Sequence, residues 1–352
     1  MKLPYNRPWL FEISDHPSCP ESIRVGVQKM LTFLWLHRIF PFQAQAPYEL
    51  AANVLERVIN EIEQEDDDDN GQNTSTIHGN GNGHANGNGI GIGNGQGDKK
   101  DALKVVDFCS GAGGPIKKIE KRINKNRKYP IPFHLSDLNP PLDQWKKTYG
   151  PPTTSSSQRE KQKTISYIPY PVDATDTSSS SSMGGVLDEK HLRTFFLSFH
   201  HFNEELARGV LVDAMRGSEG ICIFELQQCN FRSLFMIAML GPLSWLLTPF
   251  TRPTLAILFF TYIIPLIPLT LIFDGFISVY RTRSISHILR LTNLASLTIQ
   301  LENQDDASKE DYEWDWEFGR VRHTWPWGYM IYFVGRKKRY SYDEEEEEFE
   351  QE

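Results

Sequence analysis

The chain has 352 residues and a formal net charge of −8, enough for one large domain or two small ones. The charge is unevenly held: Asp343 to Glu352 carry eight acids and Glu61 to Asp69 carry seven, so the remainder is basic by +7. A hydrophobic share of 39%, diluted by low-complexity stretches, excludes a wholly disordered or collagen-like chain. The overall acidity argues against bulk nucleic-acid coating, but leaves room for an anionic ligand at a local site.

The opening MKLPYNRPWLFEI lacks an apolar run followed by a small-residue cleavage site. It does not read as a signal peptide, and an intracellular placement is expected, in the cytoplasm or on a membrane facing it. Ile23, Val27, Met30, Leu31 and Leu34 fall on one helical face, and Leu50, Val54, Leu55, Val58 and Ile62 on another. Residues 1–63 are therefore expected to form a helical segment. From 64 to 100 the sequence turns acidic and then Asn/Gly-rich (HGNGNGHANGNG). Such a stretch buries too little apolar surface to offset its ordering entropy, and a disordered linker is expected. His78 and His84 within it read as solvated. Cys19, Cys109, Cys222 and Cys229 are scattered without a C-x-x-C pair, which suits reduced thiols better than disulfides or zinc, and no metal site is expected.

Residues 101–340 alternate between strand and helix patterns. KVVDF (104–108), FHLSDLN (133–139), SYIPYPVDA (166–174), RTFFLSFHHF (193–202) and GICIFEL (220–226) predict strands, with EELARGVLVDAMR (204–216) helical between the last two. SISHILRLTNLAS (284–296) predicts a helix with Ile285, Ile288, Leu289 and Leu291 inward. YEWDWEFGRV (312–321) and YMIYFVGRK (329–337) predict a closing antiparallel hairpin, and Trp314 and Trp325 read as its packing rather than as base-stacking groups. Two Ser-rich stretches, 153–157 and 177–182, read as expanded loops. The sum is an α/β three-layer sandwich, followed by an acidic, disordered tail (341–352). The basic run RKKRY (336–340) reads as a partner for that tail at least as readily as for nucleic acid, which is not expected as a ligand.

The turn after the first strand, D-F-C-S-G-A-G-G-P (107–115), is Gly-rich at Gly111, Gly113 and Gly114, which lets backbone approach a ligand closely. Ile116 stands where a dinucleotide fingerprint needs a small residue, and Asp107 would meet a pyrophosphate with negative charge; a dinucleotide is disfavoured. A ligand positively charged near Asp107 fits better. Asp137 and Asp173 follow the next two strands. Singly, each of the three acids reads as a turn former. At successive strand ends beside one glycine turn they read as a cofactor site.

These residues resemble class I S-adenosylmethionine-dependent methyltransferases, with D107-F-C-S-G-A-G-G similar to the D-x-G-x-G-x-G signature and Cys109 in place of its first glycine. More narrowly, R-T-F-F-L-S-F-H-H-F, F-E-L and T-Y-I-I-P-L-I-P with D-G-F-I-S-V-Y-R look similar to a little-characterised bacterial and fungal methyltransferase-like family. The resemblance implies a Rossmann-like sheet closed by an antiparallel hairpin, with S-adenosylmethionine as cofactor. Asp107, Cys109 and the Gly111 to Gly114 backbone would face the methionine moiety. Asp137 would bind the ribose, Asp173 and Ala174 would line the adenine, and Phe199 would stand with His200 and His201 at the acceptor end. His200 or His201 is then a candidate base for the acceptor's proton, the alternative being a purely structural pair. Glu225 is a further candidate, with a structural cap as its alternative.

Between Arg232 and Asp274 the only charged residue is Arg252. The two apolar stretches are near the length of a bilayer-crossing helix, but Pro265 and Pro268 interrupt the second. Residues 233–273 are expected to form either a membrane contact or a buried lid over the acceptor. Both imply a small-molecule or lipid-like acceptor. The competing function is a non-catalytic, membrane-associated binding protein with the same fold.

Overall fold

The computed structural model describes residues 10–75, 102–152, 163–178, 185–303 and 313–338, with side chains of the second helix described as far as Asp66. A seven-stranded sheet forms its centre. In chain order the strands are β1 (Lys104–Asp107), β2 (Phe133–Leu135), β3 (Ile165–Tyr167), β4 (His191–Phe196), β5 (Gly220–Glu225), β6 (Glu313–Thr324) and β7 (Gly328–Lys338). Their spatial order is β3-β2-β1-β4-β5-β7-β6. The first five pair in parallel, and β7 inserts antiparallel between β5 and β6. This is the Rossmann-like sheet that the family resemblance implies, closing antiparallel hairpin included.

Period-two alternation assigns each strand residue to one of two cores. Cys222 and Phe224 of β5 face one side, with Val105, Phe133 and Leu192. Ile221 and Ile223 face the other, with Val106, Phe195 and Phe333. The first side is covered by α1 (Glu21–Leu36) through Trp35, α2 (Pro47–Ser75), α3 (Ile116–Ile123) and α4 (Leu142–Tyr149). The second is covered by α5 (Glu204–Gly217) and the last helix, Ile285–Asn303. Between β5 and that helix the chain builds α6 (Phe231–Ala238), α7 (Leu240–Leu247), a short helix Leu255–Leu258 passing into a π turn, and α8 (Leu266–Arg281); Ile285–Asn303 is α9. A third cluster joins Ile23, Val27 and Met30 of α1 to Ile257, Ile267 and Leu271, so α1 and α8 form a cap outside the sandwich.

Several expectations change. The helical segment 1–63 is not separate: Ala51, Leu55, Val58 and Ile62 of α2 are buried in the sheet's own core. The helix also continues to Ser75, past the expected start of the linker at 64. Its acids are held by bases of the domain. Glu61 pairs with Arg57 and Arg336, Glu63 with Arg127, and Asp66 with Lys190, so this part of the acidic run is a docked surface rather than an appendage. Arg336 of the basic run also pairs with Asp315. The rest of the linker, the first Ser-rich loop and the acidic tail lie outside the described residues.

β3 is three residues long rather than nine, because Pro169 and Pro171 remove ladder donors. The expected fourth strand 193–202 instead runs from His191 to Phe196, where Leu197 turns left-handed at φ 54° and a 3-10 turn, Phe199–His201, follows. In α9 the buried face is Ile288, Leu291, Thr292 and Ala295, while Ile285 and Leu289 are 46% and 37% exposed. The contact with α5 selects a face rotated from the expected one.

One buried charge was not anticipated. Arg193, on β4, is fully buried, donates to Asp213 Oδ2 at 2.6 Å and to Thr177 Oγ1 at 3.2 Å, and lies 5.0 Å over the Phe108 ring. Removing only the anion would strand a desolvated guanidinium. Asp213→Ala should cost about 3–5 kcal/mol in urea denaturation, and Arg193→Met combined with Asp213→Leu should cost less than Asp213→Ala alone.

Candidate active site

The parallel strands deliver their carboxyl ends to one edge, where the loops meet. Asp107 ends β1, 3% exposed. Its carboxylate accepts from Ser110 Oγ at 2.6 Å and Thr194 Oγ1 at 3.1 Å. Asp137 lies two residues beyond β2 and accepts from the Gly111 amide at 2.8 Å. Asp173, after β3, is exposed, and its Oδ1 accepts from the Thr175 amide and hydroxyl. The Val172 amide donates to the Asp137 carbonyl at 2.9 Å, lashing the β3 loop to the β2 loop.

The glycine turn is left-handed along most of its length: φ is 54° at Cys109, 48° at Gly111, 93° at Gly113 and 38° at Gly114. Cys109, where the signature carries glycine, thus occupies a conformation that costs a side chain energy. Gly113 is required twice over, since a Cβ there would stand 2.3 Å from the Tyr149 hydroxyl. Trp145 Nε1 donates to the Gly111 carbonyl at 2.9 Å and fixes the turn from α4.

The three acids share one electrostatic neighbourhood. Burial pushes the Cys109 thiol far up, and the charges of Asp137, Asp107 and Asp173 push it further. Burial raises Asp107 to about 7 against the lowering hydrogen bonds from Ser110 and Thr194, and the Asp137 charge adds to the rise. Among the described residues no ion pair neutralises any of the three. Ala174 is buried in the core beside them, with Cys109 packed against that core. Phe199 is also core: it is 2% exposed, edge-on to Phe195, under the Arg283 guanidinium at 5.4 Å.

His200 and His201 sit at the same edge, beyond β4, but in a different environment from the one expected. His200 is buried between two carboxylates, with Nδ1 2.8 Å from Glu225 Oε2 and Nε2 3.5 Å from Glu12 Oε1. Burial opposes its charge, but Glu225 and Glu12 outweigh it and raise His200 to about 10. A histidine held protonated does not take a proton from an acceptor, so the reading of His200 as a base is corrected. His201 faces Glu12 and Asp15. Glu12 itself is resisted by burial yet lowered to about 2 by His200, His201 and Ser278. It was missed because it lies in the segment before α1, with no local motif to mark it. Glu225, read as a candidate base or cap, does both structural jobs at once: it accepts from the His200 amide at 3.1 Å as well as pairing with its ring.

Beside this edge lies an apolar cavity of about 460 Å³, reached by Leu197 after β4, Leu226 after β5, Trp35, Met236 and Trp327. Among its polar groups, Gln43 donates to Thr324, and His323 meets the Leu226 carbonyl at 3.2 Å. Burial lowers His323 to about 4, so it is neutral near pH 7. A second, more open groove of about 600 Å³ reaches the glycine turn at Ala112 from Lys29, His37 and Arg252.

No protein-family model matches the chain, and no curated protein matches it in sequence. Solved structures resembling it include a pericyclic-reaction enzyme (13% identity, TM-score 0.37, 70% of this chain and 46% of that one). Others are human N-acetylserotonin methyltransferase with S-adenosylmethionine (12%, 0.34, 67% and 48%) and mitomycin 7-O-methyltransferase (12%, 0.35, 67% and 49%). The chain spans about half the length of these structures. Strand order and direction, rather than these distant likenesses, define the fold.

The Asp107 shift has a testable sign. Its folded pKa lies above its unfolded one, so the folded state binds the extra proton between about pH 4 and pH 7, and stability falls as pH rises through that window. Asp107→Asn should flatten this fall, read as urea midpoints from pH 4 to pH 8.

Proposed function

We propose that the chain is an S-adenosylmethionine-dependent methyltransferase acting on an apolar small molecule. The observation that carries this reading is the convergence of Asp107, Asp137 and Asp173 on the glycine turn, where no ion pair among the described residues neutralises them. A sulfonium would supply a cation there, since the sulfur that carries the transferable methyl is positively charged and becomes neutral when the methyl departs. Asp137 supplies a carboxylate for the ribose hydroxyls, Asp173 and Ala174 an adenine wall, and the turn's amides approach the methionine end. Cys109 lines the same pocket by its backbone. Phe199 supports the pocket from beneath, as core.

Methyl transfer is an in-line displacement, so the protein contributes proximity, orientation and exclusion of water. The apolar cavity beside the ends of β4 and β5 suits the acceptor. Its wall offers no charged group, so a low-polarity molecule loses little on entering. The acceptor's proton, where it has one, leaves by His201 or solvent, since His200 is already protonated.

The cover 233–273 supports a lipid-like source for that acceptor. Phe231–Thr251 is a helical stretch of 21 residues with mean hydropathy 1.6, of which 17% is buried, and the next pair of helices bends by 76°. Leu246, Phe250, Leu255 and Ile263 are each at least 70% exposed. A bent pair of helices that exposes Leu255 and Ile263 lies along a membrane surface more readily than it crosses a bilayer, so we read this cover as resting on a membrane surface.

Calorimetry with S-adenosylmethionine and with NAD tests the function. The sulfonium cofactor should bind and NAD should not, and Asp137→Ala should weaken binding roughly 10–100-fold, as for hydrogen bonds to a charged group. NAD binding alone would sink the reading. Binding of neither would favour a non-catalytic protein of this fold. Sedimentation with phosphatidylcholine vesicles tests the cover separately: Leu246→Asp with Leu255→Asp should reduce partitioning about tenfold or more, and equal partitioning of the two proteins would remove the membrane contact.

A further inference from the structure

Glu12, His200 and His201 offer three ligand atoms lying within 4.8 Å of one another. Glu12 arrives just before the short turn Ile13–Asp15, and the two histidines are consecutive in the turn after β4. Their rings stand 4.4 Å apart at 35°, and each aims Nε2 at the Glu12 carboxylate. The separations are 3.5 Å from His200 to Oε1 and 3.9 Å from His201 to Oε2. Both are long for hydrogen bonds. They are close to the roughly 3.4 Å that separates ligands around a shared tetrahedral ion with bonds near 2.05 Å.

The far side of each ring strengthens the case. His200 Nδ1 lies 2.8 Å from Glu225 Oε2, and His201 Nδ1 lies 3.2 Å from Asp15 Oδ2. A carboxylate on Nδ1 keeps that nitrogen protonated, so Nε2 is the atom that coordinates once its own proton is lost, which is how metal-bound histidines are oriented. His200 is 4% exposed, and its Nε2 has only the long 3.5 Å approach to Glu12 Oε1, so a buried nitrogen points into the cluster without a close hydrogen bond. Arg281 Nη1 at 3.3 Å and Ser278 Oγ at 2.9 Å both engage Glu12 Oε1, on one side of that carboxylate; Oε2 faces His201. Three carboxylates (Glu12, Glu225, Asp15) against one guanidinium leave two negative charges when both imidazoles are neutral, and a divalent ion cancels them.

We propose that Glu12, His200 and His201 bind one divalent transition-metal ion. Two imidazoles and one carboxylate select zinc or its first-row neighbours over magnesium or calcium, which prefer oxygen shells. The ion ties the segment before α1 to the carboxyl edge of β4 and β5, joining residues that are distant in the chain. The site stands on its own geometry and does not depend on the methyl-transfer reading.

The test uses the full chain, free of affinity tags and stripped with a chelator. Titration with Zn²⁺ should show one equivalent bound, and Co²⁺ should give the visible d–d absorption of a low-coordinate histidine site. Zinc should also raise the melting temperature, because it binds only the folded cluster. His201→Ala and Glu12→Gln should each weaken zinc at least 100-fold, and Asp15→Asn about 10–100-fold as an outer partner. His78→Ala with His84→Ala should change nothing. Circular dichroism of each variant separates lost ligation from lost folding, and Glu12→Gln keeps the side-chain shape should His201→Ala unfold. Absence of stoichiometric Zn²⁺ or Co²⁺ binding would overturn the proposal, as would affinity unchanged in both folded variants or equal competition by Mg²⁺. Calorimetry with S-adenosylmethionine on the same samples keeps the two readings independently falsifiable.

Discussion

Like charges brought together at the carboxyl edge of a parallel sheet must be balanced, and most of this molecule's functional chemistry follows from how that is done. Parallel pairing sends β1, β2 and β3 out at the same edge, so the acids that end them converge whether or not convergence is favourable. At the glycine turn the balance is incomplete: Asp107 is raised to about 7, and part of that rise is the Asp137 charge. The repulsion persists in the folded chain because the sandwich beneath fixes the strands. A cation brought near Asp107 would favour its ionised form.

Beyond β4 and β5 the same problem is met with the protein's own groups. Glu12 and Glu225 flank His200, and Arg281 closes the cluster. The two clusters share an edge but differ in their balancing charge: no ion pair among the described residues at the glycine turn, and His200 with Arg281 beside Glu12 and Glu225. The cavity near Leu197 and Leu226 excludes charge altogether, and the cover that shields it exposes apolar side chains outward. A polar cofactor and an apolar acceptor can thus approach one edge from different dielectric surroundings.

The sheet was legible in the sequence because its strands are apolar runs ended by Gly, Pro or Asp, and the hairpin because W-x-W alternation repeats across it. Trp314 and Trp316 do stack, at 5.7 Å. The glycine turn and the acids after each strand were legible for the same reason: local backbone demands leave local residue choices. What the sequence hid was long-range. Arg193 looked like one polar residue in an apolar strand, with Asp213 and Thr177 unidentifiable as its partners. Glu12 looked like part of an unremarkable leader. The acids of α2 looked like a solvated run, yet Glu61 reaches Arg336 across 275 positions of chain. Asp15 was equally out of reach, and Glu225 was singled out without its partner His200, because pairing at a distance leaves no periodic trace.

That last group sets the logic of the histidine cluster. In the chain as it stands, a proton on His200 supplies one positive charge between Glu12 and Glu225, and Arg281 supplies another. A divalent ion would replace the proton with a larger charge and turn two unsatisfied approaches, at 3.5 and 3.9 Å, into bonds. The proton is thus the ion's competitor, and the same carboxylates that raise His200 orient it as a ligand. On that proposal, metal binding would displace the proton, and the ion would fasten the segment before α1 to the sheet by charge rather than by packing.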